Sequence, residues 1–327
     1  MQKDESRAEN ARRVGVLLFE RFSNHCLANS VEPLRVCNTI LGRKVYDWVF
    51  LSMDGRPVTS SSGLPVAANL PLAQSGNGDV LLLLPSYGFR ELTSAANCRA
   101  LRAAAGRYQV IAGMDSGSWL LAAAGLLSDR RATIHWEELE GFAEAFPDVE
   151  VERARVVRDG NRWSCAGAST AFDLVLDMIR DHHGALVALE VAAFLMHGSV
   201  GADAPITEGG PELADPIVIA AVSVMRESLE EPLSLAALAK RIGVTPFQLK
   251  DRFARDLRRS PGAVYREMRL SAARRYVEQT RLSIAEIAVR CGYVDPAAMT
   301  RAFRQEFGEP PRALRRAGRE ASGLFFD

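Results

Sequence analysis

The stretch LSIAEIAVRCGYVDPAAMTRAFRQEFGEPPRAL, Leu282 to Leu314, reads as two short helices joined by a tight turn. Ile284, Ile287, Ala288 and Cys291 recur at i, i+3, i+4 and i+7, which is one face of a helix, and Gly292 supplies the left-handed residue that commonly ends one. Asp295 is placed to cap a second helix and Pro296 suits its first turn. Met299, Phe303 and Phe307 then give that helix a buried stripe every fourth residue. The opposite face carries Ala297, Thr300, Arg301 and Arg304. Two helices at a steep angle, the second presenting small, hydroxyl and guanidinium groups, form the geometry that lays a helix in the DNA major groove. Helix pairs are also common in proteins that bind no nucleic acid, so a single copy decides little.

The chain repeats the pattern upstream, from Leu233 to Pro261. Leu235, Leu238, Ala239 and Ile242 stand for the first helix, Gly243 for the turn and Thr245 with Pro246 for the cap. Leu249, Phe253 and Leu257 form the buried stripe. The copies are offset by 49 residues through the glycine and by 50 after it. Between them Ser260 and Pro261 open a third helix to about Gln279, a strut of roughly 28 Å. That approaches the roughly 34 Å of one DNA turn, so one chain can set two reading helices in successive major-groove segments. The duplication resembles the DNA-binding domain of the AraC family of transcription regulators, and SIAEIAVRCGYVDPAAMTRAFRQEFGEPP is similar to that family's second half. The resemblance implies DNA contacts from Phe247, Gln248, Lys250 and Asp251 on the first reading helix, and from Ala297, Thr300, Arg301 and Arg304 on the second. Arg301 can pair bidentately with guanine, whereas Lys250 and Arg304 suit phosphates, which position without specifying. Asp251 departs from the basic or amide residue often found there in the family, which puts the first helix's contacts in question.

The formal net charge of zero over 327 residues conceals an asymmetry. Residues 215–327 hold twenty Lys and Arg against fourteen Asp and Glu, while residues 1–214 hold twenty against twenty-six. The C-terminal part is thus the one suited to meet phosphate. Composition is ordinary for a globular chain, at 48% hydrophobic and 24% charged. The opening MQKDESRAENARR has no apolar core and reads as a disordered tail over 1–12, not as a signal peptide. No apolar run approaches the length of a membrane span, so a soluble, cytoplasmic protein is expected. Five scattered cysteines show no metal-ligand spacing and an odd count, which favours reduced thiols. His182 and His183, adjacent on a helix, point about 100° apart and do not chelate as a turn-spaced pair would. Neither a metal site nor a cofactor is expected.

From Arg13 onward strand and helix alternate, as a doubly wound α/β domain with a flavodoxin-like parallel sheet requires. The expected strands are 14–19, 46–52, 79–85, 108–113, 132–136 (ATIHW) and 162–167. Helices are expected near 23–41, 94–106, 117–124, 136–146, 169–181 and 185–196. The apolar runs at 14–19 and 80–84 suit strands buried on both faces. The pattern yields an α/β domain over 13–200, a Gly/Pro/Asp-rich linker over 201–214, and an all-α domain with two helix-turn-helix motifs over 215–327.

Ligands of an open parallel sheet bind beyond the carboxyl ends of its strands. There GMDSGSWLLAAAGLL (113–127) turns from strand to helix on two glycines, the form of a nucleophile elbow, and holds up Asp115. Glu32 lies on the helix after the first strand, and PSYG (85–88), with Ser86 and Tyr87, follows the third apolar strand. This half resembles the DJ-1/PfpI branch of the class I glutamine amidotransferase-like fold. FSNHCLANSVEPLRVCN, GMDSGSWLLAAAGLLSDRRATIHWEELEGFAEAFPDVEV and SCAGASTAFDLVLDMI are similar to segments of AraC-family regulators of carnitine, glycine betaine and arginine catabolism. In enzymes of that fold the elbow residue is a cysteine with a nearby glutamate. Here Glu32 is matched to the glutamate, while Asp115 takes the cysteine's place.

Without a thiol at the elbow, a catalytic reading needs Asp115 as nucleophile and a base such as His135, which nothing in the sequence brings near. Two carboxylates, Glu32 and Asp115, instead suit a cavity for an amine, guanidinium or quaternary ammonium. Phe22, Tyr87, Trp119 and Trp136 are the aromatic candidates for cation–π contact, though most aromatics in such segments are core. Together these features point to a non-enzymatic, ligand-responsive transcription regulator that binds double-stranded promoter DNA. By the resemblance it is an activator of a catabolic operon, a homodimer through the α/β domain, and a protein with RNA polymerase as a further candidate partner. Two alternatives stand beside it: a DJ-1/PfpI-type amidohydrolase with a DNA-binding appendage, and a regulator whose α/β domain binds nothing and serves only to dimerise.

Overall fold

The computed structural model describes residues 11–195 and 215–322 and divides the chain into two compact units. The first comprises the described residues to Asn38 and Lys44–His182; the second takes Thr39–Arg43 and the chain from His183. The expected linker, and all but the last two residues of the expected tail, lie outside the described residues.

In the first unit a seven-stranded sheet runs β10-β11-β7-β6-β1-β2-β5. Its long strands are β1 (Arg12–Leu18), β2 (Tyr46–Ser52), β6 (Gly78–Leu84) and β7 (Tyr108–Gly113), with β11 (Arg162–Cys165) shorter. These are parallel, and only β10 (Val156–Asp159) pairs antiparallel, with β11. The apolar runs in β1 and β6 pair in register from Val14 with Val80 to Leu18 with Leu84, and bury side chains on both faces. Leu17, Leu81, Leu83 and Ile111 share a core with Leu101 of α2 (Ala95–Ala105), Leu120 and Leu121 of α3 (Gly117–Ala123) and Phe142 of α4 (Leu139–Ala145). The buried sides of α1 (Asn24–Leu41) and α5 (Thr170–His183) supply the other layer. Two-residue strands β3 (Val58–Thr59), β4 (Pro65–Val66) and β5 (Leu70–Pro71) fill the segment after β2.

One expected strand is misplaced. ATIHW does not enter the main sheet: β8 (Arg130–Ala132) stops at its first residue and pairs with β9 (Val149–Val151) in a separate ribbon. The Thr133 backbone N–H is taken by the Ser164 hydroxyl at 3.0 Å and its own hydroxyl donates to the Ala154 carbonyl at 2.9 Å. The backbone is therefore satisfied without a strand neighbour.

The second unit is helical. Helices α8 (Leu235–Arg241) and α9 (Pro246–Leu257) form the first pair, α11 (Ile284–Arg290) and α12 (Pro296–Phe307) the second, and α10 (Pro261–Gln279) joins them. The unit also holds α7 (Pro216–Glu227) and α13 (Pro311–Ser322). Thr245 and Ser283 close capping boxes with Gln248 and Glu286, and Asp295 accepts from the Ala297 and Ala298 N–H groups. Gly292 follows α11 at φ +70°, and a Cβ there would fall 2.3 Å from Pro232 Cγ, so no other residue fits. The helix α6 (Ala185–Leu195), expected to close the α/β domain, packs elsewhere. Its Leu189 and Ala193 join Val218, Val222 and Met225 of α7 in the second unit's core. Its apolar residues run nearly all round the helix, so the sequence does not tell which core it enters.

Candidate functional site

On the helical unit both reading helices present the expected faces to solvent. Phe247, Lys250, Ala297, Arg301 and Arg304 are exposed, with Phe247 at 79%. Three of the expected contacts are partly engaged within the chain. Gln248 Oε1 accepts the Thr245 N–H at 2.9 Å as the return half of the capping box, and Thr300 donates its hydroxyl to the Pro296 carbonyl at 2.9 Å. Asp251 binds Arg255, one turn on, at 2.7 Å, a surface pair that leaves the first helix's acidic residue already matched. Arg301 Nη2 lies 3.7 Å from Asp295 and is otherwise solvent-facing, so its fork stays available.

On the α/β unit the elbow follows β7. Gly113 and Gly117 are needed by close approach: a Cβ on the first would meet Ser118 N at 2.6 Å, and on the second the Leu83 carbonyl at 2.9 Å. Asp115 between them is left-handed at φ +57° and only 5% exposed. Ser86, after β6, donates its hydroxyl to Asp115 Oδ2 at 3.0 Å, and the His135 N–H donates to the Asp115 carbonyl at 3.2 Å. Burial raises the Asp115 carboxyl above its usual range, partly offset by Ser86 and His135.

From α1 the residue beside Asp115 is Cys26, not Glu32. Cys26 and Cys165 are fully buried, and burial raises both thiols, Cys165 to about 11 and Cys26 well above its ordinary value, with the Asp115 charge adding to each. Glu32 stands six residues beyond Cys26, roughly 9 Å along the helix, and pairs with Arg35 at 2.6 Å. Its side chain is 45% exposed, and it does not join Asp115 in a second carboxylate site. The buried stripe Cys26, Ser30, Leu34 and Cys37 carried this signal in the sequence, because Glu32 does not fall on it.

The aromatics divide the same way. Phe22 is core. Trp119 packs edge-on against Phe89 and Phe146, and its ring face is taken by Arg90 at 4.6 Å, so it does not serve the elbow. Tyr87 and Trp136 are 59% and 68% exposed and adjoin Ser86 and His135, the two residues bonded to Asp115. An ion pair between Arg90 and Glu138 ties together the loops that carry them. At the elbow, then, a buried carboxylate is held by two residues whose sequence neighbours are exposed aromatics. A separate cleft of about 450 Å³ lies beyond β1 and β2, where its Asp54 and Arg56 already pair with each other.

A flavodoxin-like domain joined to a duplicated helix-turn-helix defines a DNA-binding transcription regulator. The DJ-1/PfpI family profile matches residues 12–181, and a helix-turn-helix domain profile matches residues 238–317. The chain belongs to the DJ-1/PfpI family and, within it, to the AraC-type helix-turn-helix transcriptional regulators. It is 35% identical over 318 residues to the HTH-type transcriptional regulator GlxA of Rhizobium meliloti, covering 95% of this chain and 98% of that one. To the HTH-type transcriptional regulator CdhR of Pseudomonas aeruginosa it is 33% identical over 301 residues, 90% of this chain and 89% of the relative. The crystal structure of an AraC family transcriptional regulator from Pseudomonas putida matches 56% of this chain and 99% of its own, at 28% identity and a TM-score of 0.50. An isonitrile hydratase of Pseudomonas putida is 29% identical over 213 residues, 64% of this chain and 87% of the enzyme.

Proposed function

We propose that the α/β unit is a receptor for a small cationic metabolite, an amine, guanidino or quaternary ammonium compound, and that its occupancy sets the affinity of the helical unit for promoter DNA. The observation that carries the reading is Asp115, a buried carboxylate in left-handed backbone, held by Ser86 and His135, each next in sequence to an exposed aromatic. A carboxylate against a dry wall attracts a cation strongly, and aromatic faces hold one that has no N–H to donate. The effector acts by binding one arrangement of the regulator more tightly than another. The regulator is then an activator of a catabolic operon, working in the cytoplasm as a homodimer through the α/β unit and together with RNA polymerase. On the DNA side Arg301 reads a guanine, Ala297 and Phe247 make apolar contacts with base edges, and Lys250 and Arg304 meet phosphates.

Likeness to an isonitrile hydratase, which adds water to its substrate, is what favours an enzymatic alternative, of which the amidohydrolase is one form, and any such enzyme needs an attacking or proton-transferring group. The thiols of Cys26 and Cys165 are buried with raised pKa, hence protonated and unreactive, and Asp115 is engaged by Ser86. The regulator reading is tested by thermal shift of the full chain against amines, guanidines, betaines and neutral or acidic controls, repeated with Asp115→Asn. A cation at about a hundred times its dissociation constant adds roughly 2.7 kcal/mol to the parent and nothing to the variant. Stabilisation by acids or neutral compounds alone overturns the charge argument, and ammonia release from amides that is lost in Asp115→Asn establishes the hydrolase.

A further inference from the structure

The two reading helices can be compared position by position, because α9 and α12 run at a constant offset of 50 residues. Opposite its buried stripe, α9 with its C-cap shows the line Phe247, Asp251, Ala254, Arg255 and Arg258. On α12 the same line is Ala297, Arg301, Arg304, Gln305 and Gly308, and every one of these residues is exposed. Each line carries two guanidinium groups three residues apart, but at different levels. Arg301 and Arg304 correspond to Asp251 and Ala254, whereas Arg255 and Arg258 stand four residues further on. Four residues are about one helical turn, roughly 6 Å along the axis. The early turns of a reading helix meet base edges, and its far end runs out toward the backbone. The shift therefore moves the arginines of α9 from base level to phosphate level.

At base level α9 offers an acid that is already matched, since Arg255 Nη2 holds the Asp251 carboxylate at 2.7 Å. Arg258 is left as the open guanidinium of the line, with no ion-pair partner among the described residues. Its backbone is the second observation. Arg258 closes α9 in left-handed conformation at φ +53°, its N–H on the Ala254 carbonyl, and Gly308 closes α12 at φ +82° with its N–H on the Arg304 carbonyl. Glycine takes this backbone without strain and arginine does not. The dipole of α9 favours a cation near its C-terminus, but Arg255 in the last turn already supplies one. A side chain kept in strained backbone, exposed and unpaired on the DNA-facing line, points to a partner outside the chain.

We infer that the two reading helices divide the work: α12 reads bases through Arg301, while α9 anchors the regulator through a phosphate contact from Arg258. Base preference is then concentrated in the half-site under α12, and the half under α9 keeps only what the apolar contact of Phe247 supplies. This rests on the groove reading above. The test is site selection from randomised duplexes with the full chain, then titration of the selected duplex and an unrelated one at two salt concentrations. Arg258→Gly and Arg258→Asn both tolerate the left-handed turn. Each weakens the two duplexes alike, leaves the base profile unchanged, and makes the loss of affinity between about 50 and 200 mM salt roughly threefold smaller, the effect of one phosphate contact. Arg258→Gly also raises the melting temperature of the helical unit by a few degrees, so the weakened binding is not a folding defect. Arg301→Ala instead flattens one base pair in the sharply specified half. Unchanged salt dependence in both Arg258 variants, or two equally sharp halves, overturns the division and, with Arg301→Ala still flattening a base pair, leaves the groove reading standing. A parent that enriches no duplex, or a base profile indifferent to Arg301→Ala, overturns both.

Discussion

Asp115→Asn makes the α/β unit more stable while removing its capacity for a cation. Asparagine keeps the shape, tolerates the left-handed backbone that Asp115 holds at φ +57°, and still accepts from the Ser86 hydroxyl at 3.0 Å. What it deletes is a charge that burial disfavours. Because burial raises the Asp115 carboxyl above its usual 3.8, the folded chain holds this proton to higher pH than the unfolded chain does. A raised acid contributes its full stability below the unfolded value, and that stability is lost as pH rises through the folded one. The parent therefore weakens relative to Asp115→Asn from about pH 4 upward, by at most about 1.4 kcal/mol per pH unit, and the gap is constant once Asp115 is ionised in both states. Urea unfolding between pH 4 and 8 measures it. All four tryptophans, Trp48, Trp119, Trp136 and Trp163, lie in the first unit, so selectively excited tryptophan fluorescence reports that unit alone. A parent as stable as the variant at pH 7, or a gap that narrows as pH rises, refutes the claim that the elbow holds a costly charge.

In the second unit the buried Glu190 of α6 pairs at 2.6 Å with the largely covered Arg226 of α7, which also donates to the Glu190 carbonyl at 3.1 Å. Glu190→Ala leaves Arg226 buried alone and costs about 3–5 kcal/mol, whereas Glu190→Leu with Arg226→Met costs far less; urea unfolding followed by helical circular dichroism separates the two. Gly292→Ala forces a Cβ into Pro232 at a left-handed position and lowers the helical unit's melting temperature by several degrees, while the same change at Gly262, which meets nothing within 4 Å, has little effect. Arg301→Ala weakens binding to a selected DNA site by about 1–3 kcal/mol and flattens preference at one base pair, while Lys250→Ala weakens all sequences alike and reduces the salt dependence; an unchanged base profile for Arg301→Ala removes it from the groove.

The helical unit was legible nearly residue by residue because each copy combines local signals that agree. Gly243 and Gly292, the caps Thr245 and Asp295, and the stripes ending in Leu257 and Phe307 fix element ends without reference to distant chain. The long parallel strands were legible for the same reason, as uninterrupted apolar runs. Elements that failed depend on partners far away: Thr133 leaves the strand pattern because Ser164 and Ala154 take its polar groups, and β3, β4 and β5 are two residues each, too short for a period. In the pocket the elbow could be read because its glycines are local, and Ser86 because it follows a clear strand. Glu32 was not placed correctly by residue type alone, because the helix stripe turns Cys26, not Glu32, inward.

The two reading helices act as one body because α10 belongs to both of their cores. Val264, Tyr265 and Met268 pack under α9, while Leu270, Ala273 and Val277 pack under α12. Arg269, between the two sets, reaches the opposite way. Its Nε donates to the Cys291 carbonyl at 2.6 Å and its Nη2 to the Gly292 carbonyl at 2.7 Å, with the guanidinium 4.1 Å from the centre of the Tyr293 ring. Those carbonyls are the groups the end of α11 leaves without helical partners, so the arginine satisfies them and pins the second turn to the strut. A rotation of α12 against α9 would thus have to break charged hydrogen bonds as well as slide packed side chains. The spacing of the two reading helices is accordingly a property of the fold rather than of the DNA, and an effector can alter DNA affinity only by moving this body as a whole or by covering it.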